Sequence, residues 1–122
     1  MALLLLEIHR RGPFDARVRP PGSKSITNRA LICAALGQGT SQLEGALDSE
    51  DTQVMLAALR QLGLKVEHDT AASVVQLTGS GGNLPVSEAE LFVENSGTTM
   101  RFLTAMLAAC RGHFRLDGIE PV

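Results

Sequence analysis

The chain repeats one pattern, incompletely, and this limits the folds open to it. A polar stretch, Ser23-Lys24-Ser25-Ile26-Thr27-Asn28-Arg29, leads into an apolar run from Ala30 to Leu36 that ends near Gly37. Gly39 and a short alternating segment, Gln42-Leu43-Glu44-Gly45, follow. The same order returns in Ser96-Gly97-Thr98-Thr99-Met100-Arg101, the apolar run Phe102 to Ala109, Gly112, and Arg115-Leu116-Asp117-Gly118. Arg29 recurs as Arg101 at an offset of 72, and Gly39, Leu43 and Gly45 recur as Gly112, Leu116 and Gly118 at 73. That period exceeds the roughly 20–50 residues of solenoid repeats and suits a duplicated α/β unit. Each copy reads as a polar helix start, an apolar helix and a short strand.

A further helix lies between the copies. Ser49 reads as its N-cap, with Glu50 and Asp51 in the first turn, where acids suit the helix dipole. Met55, Leu59 and Leu62 make one buried stripe, and Gly63 is the stop. Leu64 to Glu67 and Ser73 to Leu77 carry strand patterns, with a turn over Asp69 to Ala72 and a flexible loop over Gly79 to Asn83. Phe92-Val93 reads as a strand leading into Asn95, and Leu3 to Ile8 as a strand entering a core. Cys33 and Cys110 both sit in apolar runs and read as small buried hydrophobes in a reducing, cytoplasmic setting.

Composition excludes several function classes. Eleven basic residues face thirteen acidic ones, for a net charge of -2, so there is no broad basic field to hold nucleic acid or an anionic membrane. Trp and Tyr are absent and Phe numbers four, which leaves few platforms for stacked bases. His9, His68 and His113 share no metal-ligand spacing with the cysteines. Leu3-Leu4-Leu5-Leu6 is too short to span a bilayer, and Glu7 breaks a signal-peptide layout. Anion binding must therefore be local. The segment Ser23 to Arg29 offers it, because a helix start presents unpaired N–H groups and a positive dipole end. Lys24 adds a point charge and Arg29 a planar fork of donors. A Ser23 or Ser25 cap alone would not call for both cations.

Three ordered motifs carry a resemblance. Pro21-Gly22-Ser23-Lys24-Ser25-Ile26-Thr27-Asn28-Arg29-Ala30-Leu31, Leu47-Asp48-Ser49-Glu50-Asp51-Thr52 and Asn95-Ser96-Gly97-Thr98-Thr99-Met100-Arg101-Phe102 together resemble the N-terminal part of the EPSP synthase family. The resemblance implies an α/β (α+β) fold, part of an inside-out barrel built of βαβαββ repeats, with one full repeat and part of a second. It implies an N-terminal segment, 1–20, belonging to the other domain of the family, a first unit over 21–93, and the start of a second over 94–122. It implies transfer of the carboxyvinyl group of phosphoenolpyruvate to the 5-hydroxyl of shikimate 3-phosphate, through a tetrahedral intermediate that expels phosphate, with no metal or organic cofactor. Sister enolpyruvyl transferases acting on UDP-N-acetylglucosamine typically carry Lys-Asn where this chain has Lys24-Ser25.

Carried over by motif position, Lys24 reaches both substrates, while Ser25 and Arg29 bind shikimate 3-phosphate. Asn95, Gly97 and Thr98 wall the phosphoenolpyruvate pocket, where glyphosate also binds. Arg101 either pairs with a buried carboxylate, the preferred reading, or touches substrate. Asp48, Ser49 and Asp51 read as cap and dipole residues, or as partners of a basic side chain. Members of the family are several times longer and hold their proton-moving acids in a second domain, so no catalytic acid or base is expected here. An arginine run that follows Leu116-Asp117-Gly118 in the family is not reached before Val122. The expectation is a fragment with part of a substrate site, prone to self-association. The alternative is a non-catalytic folding unit with weak anion binding.

Overall fold

The computed structural model describes residues 4–120. Its elements run α1 (Lys24–Leu36), β1 (Gln38–Glu44), α2 (Glu50–Gln61), β2 (Lys65–Asp69), β3 (Val74–Ser80), β4 (Glu88–Phe92), α3 (Gly97–Ala108) and β5 (His113–Asp117). The repeat is real in space: α1 followed by β1 corresponds to α3 followed by β5. The strands form two sheets. One is antiparallel with order β1-β3-β2, and the other is the parallel pair β4-β5 joined across α3.

Local chemistry explains the helix ends. Ser23, Ser49 and Ser96 are the three N-caps, each accepting a backbone N–H three residues on, from Ile26, Thr52 and Thr99. At Ser49 the cap is reciprocal, because the Ser49 N–H donates to Thr52 Oγ1 at 2.8 Å. Gly63, at φ +91°, closes α2. Its N–H donates to the Arg60 carbonyl and the Leu64 N–H to the Leu59 carbonyl, while Leu59 and Leu64 are both buried. That is a Schellman closure with its hydrophobic contact. The turn between β2 and β3 is held by Asp69, whose Oδ1 accepts the Ala72 N–H.

One core joins these elements. α1 lies on β1 and β3, α2 on β2 and β4, and α3 on β5, with the three helices also packed on one another. Leu31, Met55, Leu56, Leu59, Leu62, Leu77, Leu91 and Leu103 are wholly or almost wholly buried, each contributing on the order of 2 kcal/mol. The expected stripe Met55, Leu59 and Leu62 is fully covered.

The helix start expected within Ser23 to Arg29 is found, with α1 beginning at Lys24 under the Ser23 cap. Several other expectations need correction. Gly79 and Ser80 belong to β3, paired with Gly39 and Gln38, rather than to a loop. Cys33 is exposed and Cys110 only half-buried, because α1 turns Leu31, Ala34 and Ala35 to the core and leaves Cys33 on the other face. Residues 4–8 form no strand, and Leu3 lies outside the described residues. No described strand pairs with that segment, and Leu4, Leu5, Leu6 and Ile8 are all more than four-fifths exposed, at 97%, 88%, 88% and 89%.

The tightest packing lies where β3 crosses the end of α1. A Cβ at residue 79 would sit 2.1 Å from the Gly37 carbonyl oxygen and 2.3 Å from that of Ala34. Gly79→Ala is expected to destabilise the chain by about 1–3 kcal/mol through this overlap. Gly12→Ala, where a Cβ meets nothing within 4 Å, should change it by less than about 0.5 kcal/mol. Urea midpoints of the two variants against the parent chain measure the difference.

Candidate anion-binding site

The two predicted clusters, 70 residues apart in sequence, meet in space. Asn28 in the second turn of α1 donates its side-chain amide to Thr98 Oγ1 in the first turn of α3, at 3.3 Å. Lys24 Nζ lies 2.9 Å from Asp51 Oδ2 at the head of α2. Thr99 Oγ1 donates to the Asp51 carbonyl at 3.4 Å, and the Leu47 N–H donates to Thr27 Oγ1 at 3.2 Å. The N-termini of all three helices therefore share one end of the molecule. Each head carries a partial positive charge from its aligned peptide dipoles. Only α2 has acids in its first turn, Glu50 and Asp51; α1 and α3 have none. Their own first turns add no negative charge, and the Asp51 carboxyl offsets Lys24 at the α1 head.

Lys24 is not a free charge. The Lys24 ammonium beside Asp51 holds that carboxyl below the usual carboxylate range; burial opposes this, and the Ser96 hydroxyl adds a smaller push the same way as Lys24. Arg29 is held on two sides. It donates to Ser25 Oγ, and its guanidinium carbon lies 5.2 Å from the centroid of the Phe102 ring. That cation–π contact ties α1 to α3 and leaves the guanidinium largely exposed. Ser25, half-buried one turn before Arg29, thus orients the arginine as well as facing outward.

The second cluster is less uniform. Thr98 is brought against Asn28 as described. Gly97 is half-buried at the first position of α3, and a Cβ there would sit 3.1 Å from Arg101 Nη1. A glycine at 97 thus leaves room for the Arg101 guanidinium to lie back over the helix head. Arg101 is exposed and pairs with no carboxylate among the described residues, so the preferred reading of a buried ion pair is corrected. A side chain one turn into a capped helix reaches back toward its N-terminus, and the neighbouring glycine removes the obstacle. Asn95 is exposed and makes no side-chain hydrogen bond among the described residues. It lines a concavity of about 300 Å³ with Ser49, Glu50, Asp51, Val54 and Ser96. Two carboxylates in that lining disfavour an anion there.

Sequence reasoning missed Phe102 as part of this end. No spacing in the chain signals it, because the repeat does not say that the two copies' helices pack side by side. Asp51 was legible as a partner for a basic side chain, and Lys24 is that partner.

The depressed Asp51 carboxyl sets a pH window. Its folded value lies below the unfolded one of about 3.9, so the stability from the ion pair is complete above that value. It is lost as pH falls through the folded value. Asp51→Asn is expected to remove this acid-side loss, seen as thermal midpoints at pH 3 and pH 7 lying closer together than in the parent. The same change removes a competitor for Lys24 and should tighten inorganic phosphate by about two- to fivefold, measured by NMR titration.

Comparison with known proteins identifies the family. The EPSP synthase (3-phosphoshikimate 1-carboxyvinyltransferase) family model matches residues 8–121. The chain is 50% identical over 107 residues to the 3-phosphoshikimate 1-carboxyvinyltransferase of Nostoc punctiforme, covering 88% of this chain and 25% of that protein. It is 50% identical over 119 residues to that of Pseudomonas savastanoi, covering 97% and 27%. A solved EPSP synthase from Acinetobacter baumannii superposes with a TM-score of 0.74 at 32% identity, over 82% of this chain and 22% of the other. The chain spans about a quarter of the length of the curated relatives it matches. It belongs to the EPSP synthase family.

Proposed function

We propose that this chain supplies part of the substrate cradle for transfer of the carboxyvinyl group of phosphoenolpyruvate to the 5-hydroxyl of shikimate 3-phosphate. One observation carries the reading: two acid-free helix heads, α1 and α3, lie together and bear Lys24, Arg29 and Arg101. The two substrates are both anions, and bringing them into contact requires fixed cations and N–H donors already in place. In this reading Lys24, Ser25 and Arg29 hold shikimate 3-phosphate. Lys24, Gly97 and Thr98 face phosphoenolpyruvate, with Asn95 at the rim. Lys24 exchanges its Asp51 partner for substrate oxygen when the site fills.

The chemistry also needs proton transfer, to the methylene carbon of phosphoenolpyruvate and away from the attacking hydroxyl. In this reading the site supplies no group for that work. Asp51 is ionised and committed to Lys24, and no histidine lies among the residues that join the three heads. We therefore assign proton transfer to the part of the longer relatives that this chain does not span. The 122-residue chain alone should bind shikimate 3-phosphate weakly, with amide shifts concentrated at Lys24 to Arg29. Screening at physiological salt limits such exposed charges. Arg29→Ala should weaken binding about tenfold, and Asn95→Ala by less than twofold. With phosphoenolpyruvate added, no phosphate release should be measurable, since positioning and acid–base groups are both incomplete. Turnover by the purified chain, or shifts at Gly97 with Lys24 to Arg29 silent, would contradict the reading.

Self-association belongs to the same proposal. Between α1 and α3 runs an apolar groove of about 360 Å³, lined by Ile32, Leu36, Phe102 and Met106, with Arg29 at its rim. Exposed leucines at 4–6 add to the uncovered surface. Sedimentation velocity over a hundredfold range of concentration is expected to show a rising mean mass. A single monomeric boundary throughout would remove this part. The cytoplasmic setting is proposed on two unpaired thiols, Cys33 and Cys110.

A further inference from the structure

Asn28 has no role in the carried-over site, yet it is the side chain on which the two halves of that site meet. It is 0% exposed. Its Nδ2 donates to Thr98 Oγ1 at 3.3 Å, and its Oδ1 is buried with no partner. A buried amide with an empty acceptor is a poor choice for stability alone, since an apolar side chain of similar size avoids the desolvation loss. Such a group in a folded protein calls for an explanation.

The donor side supplies one. Thr98 Oγ1 accepts from Asn28, so its own O–H is left to donate. Among the described residues that hydroxyl donates to no protein group, and the Glu94 carbonyl one turn back is taken by the Ile119 N–H. The reversed amide would consume the Thr98 proton and leave two buried N–H donors without acceptors. The observed orientation leaves Oδ1 and one N–H unpaired, against two N–H donors in the reverse, and an orphaned carbonyl is the better tolerated of the two. Thr98 therefore stands at an electropositive, acid-free helix head as an obligate donor.

We propose that Asn28 is a positioning residue: by donating to Thr98 Oγ1 it fixes that hydroxyl as a hydrogen-bond donor to the anion held at the head of α3. The inference rests on the proposed substrate reading and deepens it. Because the bond spans α1 and α3, occupation of the Lys24–Arg29 side also sets the geometry of the Thr98 side. The fully buried Asn28 and the half-buried Thr98 act as one unit.

The test is an amide NMR titration of the 122-residue chain with phosphoenolpyruvate, accompanied by thermal melts. The parent is compared with Asn28→Ala, Thr98→Val, the double variant and Thr98→Ser. Shifts are read at Gly97 to Thr99 and, separately, at Lys24 to Arg29. Asn28→Ala and Thr98→Val should each weaken the response at Gly97 to Thr99 about tenfold, the loss of one hydrogen bond to a charged acceptor. The double variant should be no weaker than Thr98→Val, because both act through one hydroxyl. Thr98→Ser, which keeps the hydroxyl, should stay within about twofold of the parent. A merely structural asparagine would lower the melting temperature and leave the affinity unchanged, or give additive losses; either result overturns the proposal. If Asn28→Ala fails to fold, the Thr98 pair decides: equal affinities for Val and Ser at 98 overturn it. A parent that responds at Lys24 to Arg29 but not at Gly97 to Thr99 overturns this inference and leaves the substrate reading standing. A parent that responds nowhere overturns both.

Discussion

Three helices packed side by side with their N-termini at one end is the arrangement on which everything else here depends. Parallel dipoles repel, so the packing must be enforced by other forces. The leucine core of α1, α2 and α3 supplies most of it, and short polar links tie the heads together. Lys24–Asp51 links α1 to α2, Thr99 to the Asp51 carbonyl links α3 to α2, and Asn28–Thr98 links α1 to α3. The unfavourable electrostatics thus become the useful property. Charge that the fold concentrates at one end is available to an anion, and only the α2 head spends its share on its own acids.

The division of labour among the heads follows from that. Asp51 lowers the field where Lys24 would otherwise stand alone, so the lysine is held in place without a ligand. Arg29 is held by a hydroxyl and an aromatic face rather than a carboxylate, which keeps its charge uncompensated. Arg101 lies against a glycine and pairs with nothing acidic. The three cations therefore differ in how readily each meets a new partner.

How much of this the residues announced depends on the range of the interaction. Caps and stops are local, so Ser49, Gly63 and the Asp69 turn were legible, and the repeat of Ser23 to Gly45 in Ser96 to Gly118 foretold matching helix–strand pairs. The Lys24, Ser25 and Arg29 cluster was legible because charge beside a cap has few other uses. Contacts between copies were not, since no pattern in a linear string says that Phe102 stacks on Arg29 or that Asn28 meets Thr98. Burial misled where an apolar run was taken for a covered one. Cys33 sits among alanines and leucines, yet the helical period turns it outward. Leu4 to Ile8 have the composition of a strand without any described strand beside them.

The crossing of β3 over α1 fixes the C-terminal end of the first helix. Backbone meets backbone at Gly79 and Gly37, and the Gly81 N–H and Ser80 Oγ bond to the Gly37 and Ala35 carbonyls at 2.8 Å each. At the other end the Gly22 backbone lies against that of Gly45 and Leu47, and side-chain links from Lys24, Thr27 and Asn28 complete the hold. With 13 residues, α1 is about 20 Å long, so a tilt of roughly 3° about the anchored end swings its head by about 1 Å. A displacement of that size is enough to spoil the alignment of reacting groups. A methyl group at the crossing would therefore be felt at the far end of the helix, against the Gly22 packing that holds it there.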